Sequence, residues 1–336
     1  LMKLCQLILV KTMKKQAVIN ASDVKPNFSK VKEAWNEMLS DYYTSENILN
    51  EKYTVEVNCP HCDSDETHSS FILNGFNHVT CKNCDSVYVS PRLNDECLHK
   101  LYSDEYYSEM FTKSMIPFFD KRKVLIGENK FNQILDFFSA DESKKKVLDI
   151  GCGVGEVIDV FNDNGWQCEA IELNPVASEW LRGKGIKVFN DTLDNYQTSE
   201  KFDLIMAWNV VEHVTNPKEF IRKSFDLLRP GGLFVTEVPH GNSMLIDYCR
   251  KTGMDPLRIL QGEQHIMLYS INAYKELHQL PGFEEVHIQT NGLDIGTIFD
   301  CSKLEIERNV VSTMQDLVDS KLYGDLLRGF WKKPGI

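Results

Sequence analysis

Cys59-Pro60-His61-Cys62 and Cys81-Lys82-Asn83-Cys84 form two C-x2-C pairs separated by eighteen residues. Four thiolates at this spacing can surround one ion tetrahedrally, as in a structural zinc site, and with every position filled by sulfur none is left for a reacting water. Two disulfides are the alternative pairing, and His61 and His68 are expected in solvent. The second chemistry-bearing stretch is Val147-Leu148-Asp149-Ile150-Gly151-Cys152-Gly153-Val154-Gly155, an apolar run entering three alternating glycines. Glycines there permit a tight turn and let a ligand approach the main chain where a Cβ would collide, although packing alone can also select them. The dinucleotide pattern G-x-G-x-x-G is broken, because Glu156 stands where its third glycine belongs. Glu172 closes the following apolar run at the distance where an acid can accept both ribose hydroxyls of a nucleoside; a solvated charge is the plainer reading.

These groups need elements to hold them. From residue 146 to about 290, apolar runs alternate with amphipathic stretches: strands at 146–150, 167–172, 187–190, 202–208 and 233–238. Helices fill the gaps at 156–164 and from Asn174-Pro175 to Gly183, and a third is opened by Asn216-Pro217 and stopped by Pro230-Gly231-Gly232. Repeated βα units of this length predict an α/β fold, a doubly wound, mostly parallel sheet with helices on both faces. Upstream, residues 51–91 read as a small β-rich module, and 101–110 as a tyrosine-rich connector leading to a helix near 131–138. Val31, Ala34, Trp35 and Met38 predict a helix over 31–39, within an N-terminal extension of residues 1–50.

Composition sets outer limits. With 42% hydrophobic and 26% charged residues the 336-residue chain is an ordinary globular protein. It carries 37 basic against 49 acidic residues, net −12, so no broad positive surface is available to a phosphate backbone and nucleic acid is a disfavoured partner. No apolar run approaches the ~20 residues that cross a bilayer. Residues 4–10 resemble a short secretion signal without a cleavage site, Met13 is an alternative first residue, and the paired cysteines suit a reducing compartment, so a cytoplasmic location is expected.

Residues 146–291 resemble the class I S-adenosylmethionine-dependent methyltransferases. The resemblance is carried by Asp149 to Gly155, by Glu172, by Phe202-Asp203-Leu204-Ile205-Met206-Ala207-Trp208-Asn209-Val210-Val211-Glu212-His213-Val214, and by Leu227-Leu228-Arg229-Pro230-Gly231-Gly232-Leu233. The order within 203–214 is most similar to the ubiquinone-type O-methyltransferases. The resemblance implies a Rossmann-like seven-stranded sheet ending in an antiparallel pair, with its last strand near 324–331. It also implies that Asp149, Gly151, Gly153 and Gly155 hold the methionine part of the cofactor and Glu172 its ribose. Asp191 and Thr192 would face the adenine, and Asn209 would line the sulfonium end. Val87-Tyr88-Val89-Ser90-Pro91-Arg92-Leu93 with the cysteine pairs resembles, more loosely, a zinc-ribbon leader of methyltransferases encoded with bacterial polysaccharide and sugar-modification enzymes.

The expected organisation is an N-terminal helical extension (1–50), a zinc ribbon (51–100), an aromatic connector and helix (101–140) and a methyltransferase domain (141–336) with a helical insertion at about 292–323. The expected reaction moves a methyl group from S-adenosylmethionine to a small-molecule acceptor, a hydroxyl of a nucleotide-linked sugar or glycan precursor. Alternatives are an aromatic, quinone-type O-methyltransferase, an RNA methyltransferase gripping its substrate with the ribbon, and a non-catalytic zinc-ribbon adaptor. Eight acidic and four basic residues in 51–100 speak against RNA. An oxygen acceptor needs a base, and His213, directly after the fourth strand, and His265, before a helix at 271–280, are the candidates; a structural hydrogen-bonding role is the alternative for each. His240 and Tyr248 could reach the pocket mouth, and Tyr106 and Tyr107 could fold over the cofactor or only pack the connector. The apolar side of 304–323 would suit a lid, ordinary packing, or a homo-oligomer contact.

Overall fold

The computed structural model describes residues 35–44, 48–103, 105–138, 145–256 and 258–335. Residues 35–39 are helical, and the remainder of the expected N-terminal helix, 31–34, lies outside the described residues. The same holds for the side chain of Tyr106. No helix among the described residues is long and apolar enough to cross a membrane.

The N-terminal module contains β1 (Thr54–Val55), β2 (Thr67–Leu73), β3 (Phe76–Cys81), β4 (Val87–Val89) and β5 (Arg92–Leu93). Asn74 and Gly75, with φ of 50° and 79°, close the β2–β3 hairpin in the left-handed conformation that a two-residue turn demands. The C-terminal part contributes β6 (Lys146–Ile150), β7 (Gln167–Ile171), β8 (Lys187–Phe189), β9 (Phe202–Trp208), β10 (Leu228–Pro239), β11 (Met267–Leu268), β12 (Glu284–Thr290) and β13 (Leu326–Lys332). Seven of these form one sheet in the order β12-β13-β10-β9-β6-β7-β8. The five strands from β10 to β8 run parallel, and β13 and β12 add antiparallel at one edge. The doubly wound seven-stranded α/β fold is therefore present.

Local chemistry explains the helices that flank the sheet. Asn174 accepts from the amides of Val176 and Ala177 and Pro175 fills the first turn of the helix Pro175–Gly183; Asn216 caps Pro217–Leu227 in the same way through Glu219 N. The helix opened by Asn216 ends at Leu227, ahead of Pro230-Gly231-Gly232, which lies inside a long β10 as a bulge between Leu228 and Leu233. Main-chain bonds from Gly231 N to Lys333 O and from Lys333 N to Gly232 O hold this stretch against the C-terminal strand.

Apolar side chains of both faces of the sheet are buried, Leu148, Ile150, Phe202 and Ile205 in one cluster and Val147, Leu204, Met206 and Val235 in another. Between the central strands and the helix Glu128–Leu135 sits a buried ion cluster: Glu237 accepts from Lys130 Nζ at 3.0 Å and from Arg328 Nε at 2.8 Å. Lys130 Nζ also lies 3.8 Å from the Trp208 ring centroid, so the two buried cations share one carboxylate and one aromatic ring. The 292–323 insertion folds as helices Asp294–Cys301 and Arg308–Ser320. Leu304, Ile306, Val310, Met314 and Leu317 of this region are exposed.

Candidate active site

Gly151, Gly153 and Gly155 follow β6 with φ of 67°, 56° and 76°, yet they serve different ends. A Cβ on Gly155 would stand 2.3 Å from Leu181 Cδ2, so this glycine lets the turn pack on the helix Pro175–Gly183. On Gly153 it would meet Phe111 Cε1 at 3.6 Å, an ordinary contact, and what is left open there is a cavity. Glu172, at the end of β7, locks this turn: Oε2 accepts from Gly153 N and Oε1 from Asn174 N, each at 2.8 Å. Burial raises the Glu172 pKa and the two amides oppose the rise.

The cavity measures about 1340 Å³, more than one ligand of ordinary size fills. Gly151, Gly153, Glu172, Asp191, Thr192, Asn209 and His213 line it at the carboxyl ends of the parallel strands, where an open α/β sheet receives its ligands, and His265 lines it from the segment before β11. Asp191 is fixed by Thr192 N at 2.7 Å, which holds its carboxyl below the usual range. Asn209 adopts φ of 54° and its amide donates to Glu237 O at 2.9 Å, tying the loop after β9 to the strand that carries the buried ion cluster. Asp149 and Gly155 do not line the cavity. Asp149 is buried behind the turn with Oδ1 unpartnered, and burial pushes its pKa well up.

Both candidate bases reach the same wall. His213 Nδ1 lies 2.8 Å from Gln264 O and His265 Nδ1 lies 2.7 Å from Ile259 O. A carbonyl only accepts, so both Nδ1 atoms carry a proton. The rings stand 5.0 Å apart. Burial pushes the His213 pKa down to about 4, so the ring is neutral at pH 7. Glu212, absent from the sequence-derived site, completes the group: it is fully buried, neither carboxyl oxygen has a hydrogen-bond partner, and burial raises its pKa to about 8. One donor atom each from Glu212, His213 and His265 fall within 4.8 Å of one another, a grouping that could surround a small cation.

Aromatic side chains from the N-terminal part close the opposite side. Tyr102 meets His213 edge-on at 5.5 Å and Tyr107 at 5.1 Å, and its buried hydroxyl has no partner. Tyr107 donates to Gln264 Oε1, and Trp35 Nε1 donates to Glu263 Oε1 at 2.7 Å. The tyrosine-rich composition of 101–110 signals this wall; Trp35 and Gln264 carry no local signal, since Trp35 meets Glu263 228 residues away and Gln264 meets Tyr107 157 residues away. His240 is buried against Gly324 O, and neither it nor Tyr248 lines the cavity.

The four cysteines converge. Cys59 and Cys84 Sγ atoms are 3.6 Å apart, Cys62 and Cys81 3.5 Å, and all four lie within 4.8 Å of one another. Disulfide sulfurs stand ~2.05 Å apart, so all four are free thiols. Around zinc at ~2.3 Å per sulfur a tetrahedron has edges of about 3.8 Å, and the group fits that shape. Matching knuckles hold it: Asp63 N donates to Cys59 O and Asp85 N to Cys81 O, with both Asp residues in the left-handed conformation. His61, expected in solvent, is buried and lies 3.2 Å from Glu276 Oε2, because the module packs against the helix Ile271–Gln279.

Residues 125–288 match the family model described as "Methyltransferase domain". The chain is 33% identical over 103 residues to the ubiquinone biosynthesis O-methyltransferase of Bradyrhizobium sp. (strain ORS 278), covering 29% of this chain and 41% of the relative. It is 33% identical over 110 residues to the mitochondrial ubiquinone biosynthesis O-methyltransferase of Rattus norvegicus, covering 29% and 31%. The chain thus spans less than half the length of these relatives. Among solved structures it is similar to an S-adenosylmethionine-dependent methyltransferase from Archaeoglobus fulgidus, at TM-score 0.46 and 20% identity over 68% of this chain and all of that one. The strand order, the glycine turn at the carboxyl end of β6 and the family match together make residues 125–288 a class I S-adenosylmethionine-dependent methyltransferase domain.

Proposed function

We propose that the chain transfers a methyl group from S-adenosylmethionine to a hydroxyl of a small molecule, and that a phenol-type hydroxyl is favoured over a sugar hydroxyl. The observation that carries the transfer reading is Glu172, a buried carboxylate pinned by Gly153 N and Asn174 N at the strand ends of a cavity large enough for two ligands. In this reading Gly151 and Gly153 accommodate the methionine part and Glu172 the ribose. Asp191 and Thr192 lie against the adenine, and Asn209 stands at the sulfonium. Asp149 and Gly155 act from behind, shaping the turn. The bound cofactor supplies an electrophilic methyl carbon in line with the acceptor oxygen. The chain's own part is to align that oxygen and take its proton at His213 or His265, both of which line the cavity.

The aromatic acceptor is supported by the names of the relatives and by the Trp35, Tyr102, Tyr107 and Phe111 side chains that line the cavity. The sugar acceptor rests on the ribbon-and-domain resemblance alone. Cys59, Cys62, Cys81 and Cys84 would hold zinc in a structural role, within a ribbon spanning about 51–100 and preceding the catalytic domain of 141–336. Calorimetry with S-adenosylmethionine tests the cofactor site, and absence of binding refutes the reading. Mass spectrometry of products from catechols and nucleotide sugars decides the acceptor.

A further inference from the structure

We propose that the four-cysteine module is a positioning element of the acceptor wall, so that the metal it holds fixes His265 and the Glu212–His213 turn while leaving the cofactor half of the cavity alone. The inference rests on the proposed function for what those histidines do, but its geometry is independent of the acceptor.

The ribbon does not end at its own chain segment. Its sheet has the order β11-β4-β3-β2, and β11, only two residues long, comes from the catalytic half and pairs with β4 through Met267↔Tyr88 and Leu268↔Val87. An isolated two-residue strand has no stability of its own. Its other support is the end of β10, through Tyr269 N to Pro239 O and Gly241 N to Tyr269 O. Ser270, immediately after, grips the metal knuckle directly: its Oγ donates to the carbonyl of Cys84 at 2.6 Å, and its amide donates to Ser86 Oγ at 3.0 Å. On the other side of β11, Ile266 relays the contact. Its carbonyl accepts from Val89 N at 3.1 Å and its amide donates to Glu212 O at 3.0 Å. Gly262 lies so close to the ribbon that a Cβ there would stand 2.4 Å from the Cβ of Phe76. The segment 262–270, which carries His265, is therefore built onto a scaffold whose knuckles need a metal to hold four thiolates together. Glu172 and the glycine turn are fixed instead by β6, β7 and the helix Pro175–Gly183, none of which hydrogen-bonds to the four cysteines among the described residues.

The test uses the full chain loaded with zinc, stripped by a chelator and reloaded, with metal content measured throughout. Imidazole ¹⁵N–¹H correlation spectra report the tautomer and environment of His213 and His265, and calorimetry reports S-adenosylmethionine affinity. The expected result is one bound zinc per chain, and on stripping a shift of the His265 and His213 signals with cofactor affinity retained, both reversed by zinc. In a second arm, Ser270→Ala keeps zinc and cofactor affinity but shifts the His265 signals, and Ser270→Thr restores them. Unchanged imidazole signals in the zinc-free chain overturn the inference, as does loss of cofactor affinity alongside them, which makes the metal a requirement of the whole fold. Absence of zinc binding overturns it too. A zinc-loaded chain that never binds S-adenosylmethionine defeats the proposed function alone, because the imidazole signals still report the coupling.

Discussion

Glu212→Gln isolates the cost of burying an acid in the wall of the cavity. Glu212 is fully buried and its pKa stands at about 8 against 4.5 for the free side chain, with desolvation by burial the largest cause. Its folded-state pKa is raised, so its contribution to stability is intact below about pH 4.5 and is lost as pH rises towards 8, where the unfolded state releases the proton and the folded state keeps it. At about 1.4 kcal/mol per pKa unit, this gap amounts to roughly 5 kcal/mol. The neutral amide of Gln has no such term. Urea unfolding of both proteins at intervals from pH 4.5 to 8.5 gives the difference curve, in which titrations common to both cancel. The expected curve rises in favour of Glu212→Gln by several kcal/mol across this window. A flat difference would refute the reasoning and show that the carboxyl is ionised and partnered in solution.

The glycine turn separates packing from ligand approach. Gly155→Ala should cost about 2–4 kcal/mol of stability, from the left-handed φ and the collision with Leu181, whereas Gly153→Ala should cost about 1–2 kcal/mol and act mainly on S-adenosylmethionine affinity; thermal unfolding and calorimetry of the pair check the split. Cys81→Ser should release the metal, and one zinc still bound per chain by elemental analysis would show the four-thiolate site to be wrong. His213→Ala should lower turnover with cofactor affinity nearly intact, and a parallel fall in both would make the residue structural. Glu237→Gln leaves Lys130 and Arg328 uncompensated in a dry layer, a loss of about 3–5 kcal/mol measurable by denaturant unfolding.

Much of this molecule is legible in one dimension because its signals are local. Alternation of apolar runs with capped helices marks the βα units, since Asn174-Pro175 and Asn216-Pro217 set helix starts within four residues of chain. The cysteine pairs and the alternating glycines are likewise short patterns whose chemistry follows from residue type. Their division of labour is different. That Gly155 answers to Leu181 while Gly153 opens on the cavity depends on a helix more than twenty residues away, and no spacing encodes it. Nor does any pattern show that Glu212 is dry, that His61 is covered by the helix Ile271–Gln279, or that Trp35 reaches Glu263. Burial and hydrogen bonding between distant segments set those properties, and they exist only once the sheet, the connector and the cysteine module have closed around one cavity. The types of chemistry available were written in the sequence; which groups meet, and in what protonation state, was decided by packing.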